Sequence, residues 1–248
     1  MNVRVIGPAN SPGLALLQQC LRAIPGVNTV PDGRGLAIHW GSVGSGLNGK
    51  PAVQGSDQLQ RLKDADINVP DFTLDPETAA FWVAKGLMVF GRLDNHTQGK
   101  DILGPTQAEF YNRDYWVKMI PNITEEWRIH VVGERSVARG KKIFTGRASV
   151  PPCVRSRRRG WTMIHNVEPS QALRQAARAA VVALGYNFGA VDLVLTDKSE
   201  VFVLEVNKQP GLDNYTANSY AAAFVDYERL AQPRRLQPGR PRARVARA

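Results

Sequence analysis

The segment that most restricts this chain runs from Gly189 to Leu212, Gly-Ala-Val-Asp192-Leu-Val-Leu-Thr-Asp-Lys-Ser-Glu-Val-Phe-Val-Leu-Glu205-Val-Asn207-Lys-Gln-Pro-Gly-Leu. Two apolar runs flank a polar turn, the pattern of a β-hairpin. If residues 197–200 form a four-residue loop, Thr196 pairs with Val201 and Asp192 stands opposite Glu205. Asn207, two residues beyond Glu205, projects from the same face. Directly opposed carboxylates repel, and an apolar sheet that holds them needs a cation between them. Three oxygen donors on one face suit a hard ion such as Mg²⁺, which also takes substrate phosphates. On spacing alone an ordinary hairpin with its carboxylates in water stands equally well.

The chain has 248 residues, 43% of them apolar, enough for one large domain or two small ones. No apolar run is long enough to span a bilayer, and the opening Met-Asn-Val-Arg-Val-Ile-Gly reads as a first strand, not a signal peptide. Two widely spaced cysteines, Cys20 and Cys153, argue against a zinc site or a disulfide framework and make a cytoplasmic location the expectation. The net charge is +10, and six of the arginines lie in residues 233–248 with no acid among them. That Pro- and Gly-rich tail is expected to be disordered. A second basic cluster, Arg155, Arg157, Arg158 and Arg159, falls within the folded region. Both patches are candidates for phosphate, nucleic acid or an acidic substrate, with a solvated loop and a solubilising tail as the plainer readings.

A strand over residues 2–7, a helix over 12–24 with Ser11 as cap, and a strand over 35–41 predict a small α/β lobe spanning residues 1–55. Helices are expected over 56–65 and 76–85, then a strand over 87–91. The polar loop Arg92-Leu-Asp-Asn-His-Thr-Gln-Gly99-Lys100-Asp-Ile follows. It is able to fold over phosphates, although a single glycine is a weak signal and a surface loop is the alternative. These elements make a central unit, 56–115. The C-terminal unit, 116–232, begins with the strand from Tyr115 to Ile120. It continues with Glu126-Trp-Arg-Ile-His-Val-Val132, which alternates strictly. Glu126, Arg128, His130 and Val132 share one face, and Trp127, Ile129 and Val131 the other. A four-residue loop at 133–136 would set Lys141 opposite Arg128, so that Glu126, Arg128 and Lys141 share a face. Cross-strand ion pairs on a solvated face would look the same. A helix over 170–184 leads into the opening hairpin, and a last helix begins near residue 219. The fold class is α/β (α+β).

In this order the parts resemble the ATP-grasp superfamily. Asp192, Glu205, Asn207 and Pro210-Gly211 resemble its Mg²⁺ signature, and Tyr115-Trp-Val-Lys-Met-Ile-Pro121 resembles its adenine-binding hinge. Glu126 is similar in position to the acid that binds the ATP ribose, and Gly140-Lys-Lys-Ile143 to the strand whose lysine reaches phosphate. The resemblance spans about residues 50–225 and points to carboxylate–amine ligases, a group with short phage-encoded members. The expected fold has a small N-terminal α/β lobe and a mainly antiparallel sheet carrying the nucleotide and metal site.

The implied cofactors are ATP and Mg²⁺, with the metal on Asp192, Glu205 and Asn207. Arg92, Gly99, Lys100 and Lys141 would hold phosphates, backbone at Lys118, Met119 and Ile120 would hold adenine, and Glu126 the ribose. Arg128 and Lys141 are the catalytic candidates. The implied reaction activates a carboxylate as an acyl phosphate and joins it to an amine, releasing ADP and phosphate. The implied partners are therefore an acid and an amine, with nucleic acid at the Arg-rich loop and tail as a further candidate and no membrane. The alternatives are a phosphotransferase and a non-catalytic nucleotide- or nucleic-acid-binding protein on the same fold. The sequence departs from the pattern at Asp57-Gln58, where relatives carry a lysine. It departs again at Arg92, which replaces a lysine, at the lone Gly99, and at Ala190, where some ligases place an arginine.

Overall fold

Alternating apolar residues make β1 (Asn2–Ile6). Ser11 then caps α1 (Pro12–Arg22), its hydroxyl accepting from the Leu14 amide at 3.3 Å. Pro12 suits the first turn, where its missing N–H would have had no partner. In this computed structural model, which describes residues 1–94, 102–147, 155 and 157–231, β2 (Asn28–Thr29) and β3 (Leu36–His39) pair in parallel on either side of β1. α2 (Gly55–Asp64), β4 (Phe72–Thr73), α3 (Pro76–Ala84) and β5 (Val89–Arg92) follow. With β6 (Tyr115–Lys118) they complete a second, antiparallel sheet of order β4-β6-β5.

The third sheet is built from β7 (Ile123–Val132), β8 (Arg135–Phe144), β9 (Trp161–Ile164), β10 (Phe188–Thr196) and β11 (Val201–Asn207), in the order β11-β10-β7-β8-β9. All its pairings are antiparallel. α4 (Gln171–Ala183) covers one face, where Leu173, Ala177, Ala180 and Val181 pack on Trp127, Ile129, Val131, Val191 and Leu193. Each fully buried Leu, Ile or Val there contributes roughly 1.5–3 kcal/mol. The alternation read in residues 126–132 thus divides the strand as expected. Phe188 and Val132, at one end of the opposite face, join Trp40 of the first lobe and Tyr220 and Phe224 of α5 (Asn214–Ala231) in a second core. Trp40 stacks on Phe188 with ring centroids 5.4 Å apart.

Several boundaries differ from the sequence reading. α5 starts at Asn214, not near 219, because Asp213 accepts from the Thr216 amide at 2.8 Å and caps it. β8 starts at Arg135, not 137, because Gly133 takes φ +57° and lets a two-residue turn close the hairpin. The short strands β2, β4 and β9 carry too little pattern to be seen in sequence. No described helix is long and apolar enough to cross a membrane. Gly99, Lys100, Cys153 and the tail 233–248 lie outside the described residues.

Candidate active site

Across four strands of the large sheet runs one rung: Glu205 on β11, Asp192 on β10, Arg128 on β7 and Gly140 on β8. The next rung holds Asn207, Ala190, His130 and Ala138. Asp192 opposes Glu205 as the sequence suggested, but by another route. The connection is one residue longer than expected, since Leu195, not Thr196, pairs with Val201. A bulge between Asp192 and Leu193 then absorbs Leu204 and restores the register. The edge strand is held from outside. Gln58 donates to the Val206 carbonyl at 3.1 Å and accepts from its amide at 2.7 Å, while Val203 donates to the Asn68 carbonyl at 2.8 Å.

The β7–β8 hairpin departs from the expectation. Its turn is two residues shorter and a bulge returns one, so Lys141 pairs with Trp127 and Gly140 with Arg128. A one-residue shift exchanges faces. Lys141 therefore lies on the α4 side, bonded to Glu125 and 5.5 Å from the Trp127 ring centroid. Lys142 takes the site face and bonds Glu126.

Arg128 grips Asp192 through two hydrogen bonds, Nε–Oδ1 at 2.7 Å and Nη2–Oδ2 at 2.6 Å. Burial pushes the Asp192 carboxyl up, but the guanidinium outweighs it and holds the group below the usual range. The same pairing raises Arg128. Burial and the Asp192 charge raise Glu205, against a downward pull from Arg92. Glu126 is 6% exposed and raised, first by burial, despite Lys142 and Arg155. Arg155 lies 3.7 Å from Glu126 and stacks 4.6 Å over Trp161, so this one member of the basic cluster enters the site, while Arg157 and Arg159 are exposed.

Arg92 pairs across from Tyr115, its guanidinium carbon 5.9 Å from that ring. Burial raises the Tyr115 hydroxyl to about 12, with Arg92 and Glu205 among the charges acting on it. The second sheet thus brings Arg92 toward the metal candidates. Just beyond, Asp94 accepts from the Ser56 amide at 2.8 Å and donates its own amide to Asp114 at 2.7 Å, which ties the start of the expected phosphate loop to α2 and β6. The Lys118 side chain points elsewhere, to Asp71 at 3.0 Å and over Trp82 at 4.3 Å. The Lys118 and Met119 amides bond the Asp71 and Met88 carbonyls. Ile120 is buried.

Three joining residues escaped the sequence reading. Asn48, in left-handed backbone at φ +56°, accepts from the Asn187 and Phe188 amides and donates to the Phe188 carbonyl. Gln58 is the clamp on β11. Lys208, next to Asn207, buries its ammonium against the Ser42 and Lys50 carbonyls. Only buried-polar chemistry, visible after folding, marks them.

The donor set fits a hard cation. Among the described residues no group of three or more His, Cys, Asp or Glu side chains is placed to hold a metal ion by itself, but Mg²⁺ takes one or two carboxylates and completes its shell with phosphates and water. Asp192 and Glu205 supply the carboxylates. An ionised carboxylate offers about four acceptor sites, so Asp192 keeps some beyond those given to Arg128. The Asn207 amide nitrogen is buried with no hydrogen-bond partner, a place for a ligand oxygen to fill.

Neither a family model nor a curated protein matches this sequence. Solved structures do. The ATP-grasp ligase PsnB complexed with a phosphomimetic variant of its minimal precursor, Mg and ADP matches with a TM-score of 0.65 at 13% identity, over 92% of this chain and 98% of that one. The macrocyclase MdnC bound with precursor peptide MdnA, from Microcystis aeruginosa MRC, matches at 0.61 and 12%, over 91% and 100%. D-alanine–D-alanine ligase from Bacillus anthracis matches at 0.58 and 14%, over 93% and 94%. With three sheets in this order and a carboxylate-bearing hairpin at the edge of the largest, the chain has the ATP-grasp fold.

Proposed function

We propose that this protein is an ATP-dependent ligase that activates a carboxylate as an acyl phosphate and joins it to an amine, releasing ADP and phosphate. The observation that carries the reading is the rung Glu205–Asp192–Arg128, flanked by Asn207 and by Lys142 on the same face. Phosphoryl transfer asks a protein mainly to position groups and neutralise charge, and this face offers both. Asp192, Glu205 and Asn207 would hold Mg²⁺, which would draw charge from the phosphate oxygens. The PsnB structure, complexed with Mg and ADP, supports Mg²⁺ and a nucleotide as the cofactors.

Arg92 would reach phosphate from the second sheet with its planar fork of donors, joined by Gly99 and Lys100 of the phosphate loop. Lys142 replaces Lys141 as the phosphate lysine of β8, with Glu126 orienting it. Glu126 would meet a ribose only by sharing itself with Lys142 and Arg155. Backbone at Lys118, Met119 and Ile120 would line adenine. Arg128 would stabilise the acyl phosphate, and no side-chain nucleophile is required.

The test is phosphate release with Mg²⁺ and ATP against an amino-acid panel, followed by mass spectrometry for amides. Release that needs an acid and an amine together supports ligation. A stable phosphorylated product with no amine requirement would instead make the protein a phosphotransferase, and nucleotide binding without turnover would make it a sensor. Whether the acid or amine is carried on a peptide, as the precursor complexes of PsnB and MdnC suggest, is answered by extending the panel to peptides.

A further inference from the structure

Beside Arg128 lies a cavity of about 250 Å³, lined also by His130, Gly140, Met163, His165 and Asp213. Its volume falls below the roughly 300–1,000 Å³ of pockets for drug-sized ligands, and suits a group about as large as one amino acid. Gly140 keeps it open: a Cβ there would stand 2.3 Å from Met163 Cγ and 3.2 Å from His165 Cε1. In the ligase reading Arg128 and Lys142 act on phosphate and Asp192 on the metal. None of them takes a proton from an amine, yet amide formation must remove one.

The hydrogen bonds of His165 define a proton site. Its Nδ1 lies 2.6 Å from the Arg139 carbonyl, which only accepts, so Nδ1 carries hydrogen. Its Nε2 lies 3.0 Å from Asp213 Oδ2. A ring lone pair and a carboxylate lone pair at that distance repel unless one proton lies between them, so the pair binds one proton jointly. Asp213 is fixed for this task. Its Oδ1 accepts from the Thr216 amide and hydroxyl, each at 2.8 Å, which leaves Oδ2 for the ring. Burial raises the Asp213 carboxyl, but the Thr216 bonds and His165 outweigh it and keep it below the usual range. The side chains of His165 and Asp213 are 29% and 53% exposed, so water is able to carry the proton away.

The groups facing His165 are Asp213, the cap of α5, Tyr215 of α5, Arg139 with its partner Glu168, and Arg128 and His130 of β7. His130 is no rival base. It is 3% exposed, bonds the Tyr220 hydroxyl, and burial followed by Arg128 pushes it down to about 3.

We infer that this cavity is the subsite for the amine substrate and that the Asp213–His165 pair is its anchor and general base, an assignment that rests on the ligase reading above. As the subsite fills, the proton shared by Nε2 and Oδ2 passes to water, and the incoming ammonium takes its place, donating to these atoms and leaving one of its own protons on the pair. The freed nitrogen lone pair forms the C–N bond to the acyl carbon, and the tetrahedral intermediate collapses as the C–O bond to phosphate breaks. The second nitrogen proton departs on the phosphate, and the pair again holds the one shared proton with which it began.

The experiment compares two nucleophiles in the full-length protein with MgATP and the amino-acid panel as acids: hydroxylamine, which is already unprotonated at neutral pH, and glycinamide, which is not. Asp213→Asn keeps the Thr216 cap, and His165→Gln is the second variant. In each, the ratio of glycinamide coupling to hydroxylamine coupling at pH 7 is expected to fall by about 10-fold, because an α-amine with a pKa of about 8 is only about one-tenth unprotonated at that pH. Raising the pH should recover it as glycinamide deprotonates. An unchanged ratio in both variants overturns the inference. Wild-type protein that makes no hydroxamate with any acid would count against the ligase reading instead. The subsite is then judged by glycinamide titrated into ¹⁵N-histidine-labelled protein, where the His165 signal should move in wild type and stay fixed in Asp213→Asn; no movement in wild type overturns the subsite.

Discussion

The large sheet contains two hairpins that each carry one bulge, and the bulges have opposite consequences. In β10–β11 the extra residue cancels a turn that is one residue too long, so Asp192 still faces Glu205. In β7–β8 the extra residue only half compensates a turn that is two residues too short, so the lysine on the site face is Lys142 and not Lys141. Side-chain direction in a strand has period two, so only the parity of turn plus bulge decides which residues reach a site. Turn length by itself predicts nothing reliable about that face.

The largest expected effect sharpens the first half of the comparison. Glu205→Gln removes one carboxylate of the restored rung and should cut ATP-dependent phosphate release by about 10²-fold or more, since metal charge stabilisation is worth several kcal/mol. Near-normal release would break the assignment of that hairpin to the metal. The second prediction sets the two lysines of β8 against each other. Lys142→Ala should lower phosphate release by about 10²-fold, as loss of a preorganised charge does, and Lys141→Ala by only a few-fold. The reverse order would mean the register is the one first expected from sequence.

That expectation shows how far the sequence was legible. Because alternation survives folding, the strand patterns place Arg128 with Glu126 and His130 on one face of residues 126–132, and Asp192, Glu205 and Asn207 on one face of the 189–207 hairpin; only the β7–β10 pairing joins the two faces. The turn departs from the four residues expected, although Gly133-Glu134 between alternating runs is itself a two-residue turn signal. Lys208, Asn48 and Gln58 were not legible as joints, since no period marks a polar side chain that will be buried against distant backbone.

The third prediction tests what holds the restoring bulge. Gln58→Ala would strand the Val206 amide and carbonyl, at a cost of about 1–3 kcal/mol for an unsatisfied buried group. Thermal unfolding should show it, together with weaker Mg²⁺-dependent turnover. An unchanged melting temperature would mean that the bulge is self-supporting.

The fourth uses His130, which flanks the β8 bulge. Its native value, about 3, lies below the ordinary 6.5. The unfolded state therefore binds the proton first, and the group's contribution to stability is complete above 6.5 and lost as pH falls toward 3. Wild type should lose melting temperature between pH 7 and 4.5, and His130→Gln should lose visibly less over the same span. Parallel profiles would refute the buried neutral imidazole.

The smallest effect lies outside both hairpins. Cys20→Ser with Cys153→Ser should leave ATP turnover within about twofold, because the proposed chemistry needs no thiol. Cys20 is buried among the first lobe's apolar residues, so some stability is lost there. Loss of turnover without unfolding would contradict the mechanism.

By itself the sequence determined the order of the elements, the two-faced strands, the opposed carboxylates and the resemblance that led to ATP and Mg²⁺. All of these follow from local periodicity and spacing, which a chain carries before it folds. Only the tertiary structure decided which lysine reaches the site, brought Arg92 from another sheet toward Glu205, and joined His165 to Asp213 across 48 residues of chain. Those outcomes depend on bulges, on turn parity and on polar groups that must find partners once water is excluded. Such constraints act between segments, and no segment's own pattern records them.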